Sequence, residues 1–449
     1  MRSMTLALSA FALALSGVVQ TPLASAQTAQ SEPPAAAVQA NPAFEARARE
    51  LLAVLAGTSA YESYFSPGFQ AAVPKAQFVG ITAQLVTAGG KPLAVDAVTP
   101  VTPWSGTVRI RAEKAVLLFQ LSVDQAEPHH VTGLRFTGME SQEKSLDEVK
   151  AAIGKLPGVT SYAFARLGEG APSLRLAHNA QQPLAVGSAF KLVILAELVR
   201  VTNAGTRKWD DLVTLDGKPL PGGGYAMKLA GTKVTLRELA TQMISISDNS
   251  ATDILLADLG REKVEAMLGT IGVAPDPRNI PYLGTLEAFK LKWLDGGKLG
   301  ERYIAADEAG QRAMLAGEVL NADITPLKQM RGLPTKPSSI DQLEWFFSSA
   351  DLIRVMDWLR RNTEGPAGAE ARAVLSKNPG LTIDKEQYGW VGFKGGSEPG
   401  VINLTYLLQG QDGAWYAAAA TWNDTKAVVD DARFASLVTG FLKFAGPQK

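Results

Sequence analysis

Apolar positions across residues 44–55 recur with helical spacing and stop near Gly57, which predicts a helix burying one face. Tyr61, Tyr64, Phe65 and Phe69 follow. The pattern then changes to the two-residue alternation of half-buried strands at 106–110, 115–123 and 130–136. A helix followed by antiparallel strands predicts a small α+β domain over residues 43–138. Residues 140–150 are polar and bridge to a second unit, 139–449, whose first helix is expected at 146–156. There, strands at 162–167 and 174–178 form a hairpin ahead of a helix that Ser188 opens and Leu198 closes. Helical periodicity occupies 236–246, 251–259, 263–271, 306–319, 352–361 and 369–375. Strands at 388–394, 401–409 and 415–422 and a helix at 431–444 come last. Strands at both ends of a unit with a helical middle imply one antiparallel sheet built from both ends, with the helices packed beside it.

Ahead of these elements, residues 1–26 have the makeup of a secretory signal. Arg2 supplies positive charge, residues 6–19 an apolar run, and Ala24-Ser25-Ala26 a small-residue cleavage site. A membrane anchor fits less well, because the run is short, contains Ser9, Ser16 and Gly17, and leads into a Pro/Ala/Gln-rich linker at 27–42. The mature chain is expected to start near Gln27 and to be exported, periplasmic or secreted, with no membrane attachment after signal removal. The 449 residues include no cysteine, so a disulfide, a thiolate nucleophile and a lipidated cysteine are all excluded. With 44 basic and 44 acidic residues and no like-charge run, the chain has no footprint for nucleic acid or an anionic membrane. A small-molecule substrate is the expected partner, and oligomeric state is left open.

Three short motifs carry the chemistry. Ser188-Ala189-Phe190-Lys191 places a hydroxyl one helical turn before an amine, the spacing at which the amine can take the hydroxyl proton. Ser141-Gln142-Glu143-Lys144 repeats the spacing in the polar bridge and reads as accidental. A serine at a helix start is also ordinary N-cap material, and so is Ser247-Asp248-Asn249 at the break between two helices. Lys394-Gly395-Gly396-Ser397, at the end of a predicted strand, equally suits a glycine-rich strand end. Their order and placement on a helix start, an interhelical turn and a late strand set them apart from chance.

Together the motifs resemble the S-x-x-K, S-D-N and K-T-G signature of class A β-lactamases and penicillin-binding proteins, over about residues 145–445. With Lys394-Gly395-Gly396-Ser397-Glu398-Pro399-Gly400 and an extra N-terminal domain, the chain is similar to two-domain serine hydrolases related to class A β-lactamases, some of which act on esters. The resemblance implies a β-lactamase-like α+β fold. It implies Ser188 as nucleophile, Lys191 as base, Ser247 as proton relay, and Asn249, Lys394, Gly396 and Ser397 around the substrate, with no metal or cofactor. Residues 44–137 resemble the cone-shaped domains of the nuclear transport factor 2 superfamily. Gly395 stands where the signature has threonine, and Ser397 is the nearest hydroxyl. The family's deacylating glutamate belongs to an E-x-x-L-N loop, for which Glu287 is the local candidate, although a helix-surface role suits it as well.

Other hydrolase designs fit poorly. There is no G-x-S-x-G, and His129, His130 and His178 are the only histidines. No H-E-x-x-H or other zinc spacing occurs, and adjacent His129 and His130 would point to opposite faces of a strand. The expected function is an exported serine hydrolase of β-lactam amides. An esterase, a penicillin-sensing protein that stays acylated, and a cell-wall peptidase remain the alternatives.

Overall fold

The computed structural model describes residues 38–330, 334–365 and 368–447. The signal expected at 1–26 and most of the 27–42 linker lie outside the described residues. Among those residues no helix is long and apolar enough to cross a membrane. The chain divides into two compact units between Gln142 and Glu143.

In the first unit Asn41 caps α1 (Pro42–Leu55) by accepting the Ala43 N–H at 2.9 Å. Helices α2 (Tyr61–Tyr64), α3 (Pro67–Ala72) and α4 (Lys75–Gly89) precede a four-stranded antiparallel sheet. Its strands β1 (Pro92–Thr102), β2 (Ser105–Ala112), β3 (Val116–Val123) and β4 (Val131–Glu140) lie in sequence order. Phe44, Leu51 and Phe65 pack on Ile110, Phe119 and Leu121 to form the core. The hydrophobic pattern overlooks α4 and β1 for a physical reason. Only Phe78 and Gly89 of α4 are buried and no residue of β1 is; Leu85, Val95 and Val98 meet the core only partly buried, so neither element has a sharply divided buried face to announce it.

The second unit opens with α5 (Leu146–Gly154), the hairpin β5 (Val159–Leu167) and β6 (Ser173–His178), and the short β7 (Leu184–Ala185). A 3₁₀ turn, Gly187–Phe190, runs into α6 (Lys191–Asn203), so the helix expected from Ser188 starts tighter and ends later. Short strands β8 (Leu212–Thr214) and β9 (Lys233–Thr235) precede α7 (Leu236–Ser245), α8 (Asn249–Leu259) and α9 (Arg261–Ile271). Next come α10 (Thr285–Trp293), α11 (Lys298–Ala305), α12 (Glu308–Met314) and α13 (Thr325–Gln329). The helix expected over 306–319 is α12 followed by a wider turn at Leu315–Val319. After β10 (Phe346–Phe347), α14 (Ser349–Asn362) begins earlier than its apolar pattern, because Ser348 and Asp351 form a reciprocal capping box. The chain then follows α15 (Ala369–Ser376), β11 (Tyr388–Glu398), β12 (Val401–Gly410), β13 (Trp415–Asn423) and α16 (Asp431–Ala445).

The large sheet has the order β11-β12-β13-β5-β6 and is antiparallel throughout, one sheet built from both ends of the unit. One face packs Phe164, Tyr406 and Trp422 against Ile153 of α5 and Phe434 and Phe441 of α16. The other packs Ala163, Ala417 and Ala419 against α6 and α14, and these small side chains leave room for Leu195 and Met356. Because β12 and β13 are covered on both faces, they read as nearly unbroken apolar runs.

Candidate active site

Ser188 is half-buried in the 3₁₀ turn, and Lys191 begins α6 fully buried. No side chain caps this turn or the helix, so the capping role open to Ser188 is not realised. The turn is seated on its surroundings. Val186 N–H donates to Trp345 O at 3.0 Å, the Phe190 ring stacks on Trp345 at 3.7 Å, and Tyr282 Oη donates to Phe190 O at 2.8 Å. None of these supports is visible in the sequence, since Trp345 and Tyr282 belong to no motif and approach only through the fold.

Two glycines bring this turn against β11. Gly187 has φ +49°, and a Cβ there would lie 3.0 Å from Ser397 N. A Cβ at Gly396 would overlap Val186 O and Ser188 N. Backbone therefore meets backbone, and the N–H groups of Ser188 and Ser397 arrive at one corner. Ser397 itself is exposed.

Lys191 Nζ donates to Asn249 Oδ1 at 2.7 Å, to Ser247 O at 2.9 Å and to Ser247 Oγ at 3.1 Å. From the other side Lys394 Nζ donates to the same Ser247 Oγ at 3.0 Å. Ser247 is thus a bridge between two buried amines, and it holds a left-handed backbone, φ 59°, to reach both. Asp248, the middle residue of the motif, turns inward. It caps α8 through Ala251 N–H at 2.8 Å, and its other oxygen accepts Gly224 N–H at 2.5 Å from the preceding loop. The capping and the chemical expectations for this motif are therefore divided among its residues.

Burial lowers the Lys191 amine to about 7, against the opposing pull of Asp253 and Asp248. Lys394 is pushed well below the ordinary lysine range by burial and then by the charge of Lys191. Behind the pair, burial raises Asp253 to about 6, although it accepts Thr285 N–H at 2.6 Å and Leu286 N–H at 2.8 Å at the start of α10.

Glu287 occupies that same helix start. Its carboxylate accepts Gly284 N–H at 2.7 Å and receives Arg261 through bonds of 2.6 and 3.0 Å. It is committed to the helix terminus and an ion pair. Gly395 also has a local cause, since a Cβ there would come within 2.8 Å of the Phe393 ring, which packs on Tyr406 at 4.8 Å. The second S-x-x-K falls on the non-helical stretch between β4 and α5, where no helical turn brings Lys144 beside Ser141. Among the described residues no cluster of three His, Cys, Asp or Glu side chains is arranged to hold a metal.

The fold thus brings Ser188, Lys191, Ser247, Asn249, Lys394, Gly396 and Ser397 into one constellation: a hydroxyl on a seated turn, two low-pKa amines on a shared serine, and paired backbone donors. Residues 144–322 match the family model described as the beta-lactamase enzyme family. No curated protein matches the chain. Among solved structures, a β-lactamase from Sphaerobacter thermophilus DSM 20745 is similar at 19% identity, over 67% of this chain and 94% of that one, with a TM-score of 0.46. A β-lactamase from Chitinophaga pinensis DSM 2588 is similar at 14% identity, over 67% and 96%, with a TM-score of 0.44. PBP-A, as a mutant in an acyl-enzyme complex with penicillin G, is similar at 15% identity, over 66% and 96%, with a TM-score of 0.41.

Proposed function

We propose that the larger unit, whose residues 144–322 match the beta-lactamase enzyme family model, is a serine hydrolase of that family, that Ser188 forms an acyl-enzyme with β-lactam amides and that the chain hydrolyses them. The observation that carries this is the buried Lys191 amine, lowered to about 7 and hydrogen-bonded to Ser247 and Asn249. The three bonds Lys191 donates are those of its ammonium; near pH 7 the neutral form gives up one of them, and its lone pair can then accept a proton, which an ordinary surface lysine cannot.

In this reading Ser188 Oγ attacks the carbonyl carbon while its proton passes to Lys191 Nζ. The carbonyl oxygen gains the charge and is met by the N–H groups of Ser188 and Ser397. Collapse breaks the C–N bond, and Ser247 Oγ delivers a proton to the departing nitrogen, with Lys191 and Lys394 replenishing it. Lys394 offers an N–H donor to the carboxylate that β-lactams carry. Water then attacks the ester, and Ser188 Oγ leaves with a proton. Export through the 1–26 signal belongs to the same proposal, as does a docking role for the nuclear transport factor 2-like first unit.

The engagement of Glu287 with Arg261 and Gly284 favours a second reading for the last step. A substrate with an easier leaving group, a small ester, would suit the same attack and oxyanion corner, while a β-lactam adduct would be released slowly. Intact-protein mass followed over time beside hydrolysis of a chromogenic cephalosporin and an aryl ester separates the two. Turnover of the cephalosporin without a lasting adduct supports the β-lactamase reading. A permanent adduct with no turnover rejects it, and loss of ester cleavage in Ser188→Ala supports the esterase.

A further inference from the structure

The acyl-transfer steps leave a buried ionic cluster unused. Lys292 Nζ on α10 donates to Glu344 Oε1 at 2.5 Å and to Glu398 Oε1 at 2.6 Å. The Lys292 and Glu344 side chains are almost wholly buried, and that of Glu398 is 16% exposed. Glu344 Oε2 is buried without a hydrogen-bond donor. Two carboxylates around one ammonium would leave a net negative charge where water cannot solvate it. Glu344 and Glu398 are in side-chain hydrogen-bond contact, so a proton retained between them removes that charge and supplies a donor within the pair. Burial, then the neighbouring Glu344, holds the Glu398 carboxyl well above the ordinary carboxylate range, with Lys292 opposing.

The position of the cluster gives it a use. Glu344 directly precedes Trp345, whose carbonyl accepts Val186 N–H and whose ring carries Phe190. Glu398 is the last residue of β11, directly after Ser397 and on the same strand face as Gly396 and Lys394. Gly396 in turn touches Val186 O and Ser188 N. The cluster therefore ties together the two segments that grip the nucleophile turn from either side. Resting on the acyl-transfer reading of Ser188, we propose that Glu344 and Glu398, sharing one proton beside Lys292, are positioning residues that hold the Ser397 N–H in register with the Ser188 N–H. The charged groups facing Glu398 are Lys292 of α10 and Glu344 of the segment before β10. Loss of the shared proton would place unbalanced negative charge beside a corner that must receive an oxyanion, so turnover falls on the alkaline side.

The test measures acylation and deacylation separately in the full chain, across pH, for Glu398→Gln, Glu344→Gln and Glu398→Ala. Glu398→Gln keeps a neutral partner that donates to Glu344, so its rates at neutral pH should stay within about threefold of the parent while the alkaline fall disappears. Glu398→Ala should lower both steps together, by about tenfold to a hundredfold, because one oxyanion corner serves both, with little change in KM. A loss confined to deacylation would overturn the proposal, since it would make Glu398 a base rather than a support. Unchanged rates in a folded Glu398→Ala would overturn it as well. Should that variant not fold, an alkaline limb that survives in Glu398→Gln and Glu344→Gln decides against it. Absence of any acyl adduct on the parent chain would instead remove the Ser188 reading, a distinguishable failure.

Discussion

Two buried amines on one hydroxyl cannot both keep a full charge, because each ammonium raises the energy of the other where solvent does not screen them. Burial lowers Lys191, and the charge of Lys191 then lowers Lys394 further, so Lys191 is the amine that takes the proton first. A base must be neutral to act, so acylation should accelerate as pH rises through about 7, where Lys191 loses its proton. Lys394 is held well below the ordinary lysine range by burial and by Lys191, so it is not the charged neighbour when Lys191 titrates, and Lys394→Ala should leave that inflection in place while lowering the rate through loss of its bond to Ser247. A pH series of labelling by a fluorescent penicillin checks both, and an inflection moved to higher pH by the substitution would instead make Lys394 the cation that lowers Lys191. The same label should vanish in Ser188→Ala and persist in Ser141→Ala. Glu287→Gln gives up a charged pair with Arg261, so it should lower stability by about 1–3 kcal/mol in denaturant unfolding while labelling continues. Cessation of labelling in that folded variant would instead connect Glu287 with the acylation step. Ser188, Lys191, Ser247 and Lys394 were legible because short motifs fix their spacing. Tyr282, Trp345 and Asp253 were not, since single residues distant in sequence leave no pattern until the chain is folded.

At the scale of elements, the site is a meeting of backbones. Gly396→Ala would drive a Cβ into Val186 O, and no rotamer can relieve a clash with main chain. Acylation should fall about a hundredfold or more as β11 and the nucleophile turn separate. Gly395→Thr, which restores the commoner signature, should not improve binding, because the Phe393 ring lies within 2.8 Å of the new Cβ. Comparing Kd for an acylation-silent Ser188→Ala background with and without Gly395→Thr tests this, and tighter binding would refute it. The legibility of elements followed their burial. Strands β12 and β13 and helix α16 announce themselves by apolar content, whereas α10 turns Lys290 and Lys292 inward and so hides its buried face among charges. Those lysines are satisfied by the Val319 and Leu320 carbonyls and by Glu344 and Glu398, partners that periodicity cannot foresee.

At the scale of the whole molecule, each unit has its own apolar core. Phe44, Phe65 and Phe119 belong to the first, and the two faces of the large sheet belong to the second. Residues 143–449 expressed alone should therefore unfold in one cooperative transition and label with penicillin at the parental rate. A slower rate would assign the first unit a part in the site. The large sheet has a temporal consequence too. The central pairing of β5 with β13 joins strands from opposite ends of the unit, and β11, which supplies Lys394, is made long after Ser188. Such distant closure is entropically late and slow. During synthesis, Ser188 and Lys191 leave the ribosome well before the strand that completes their corner, so the proposed nucleophile would emerge unarmed. On that proposal reactivity should begin only when the last strands dock, and acylation would be a readout of finished folding.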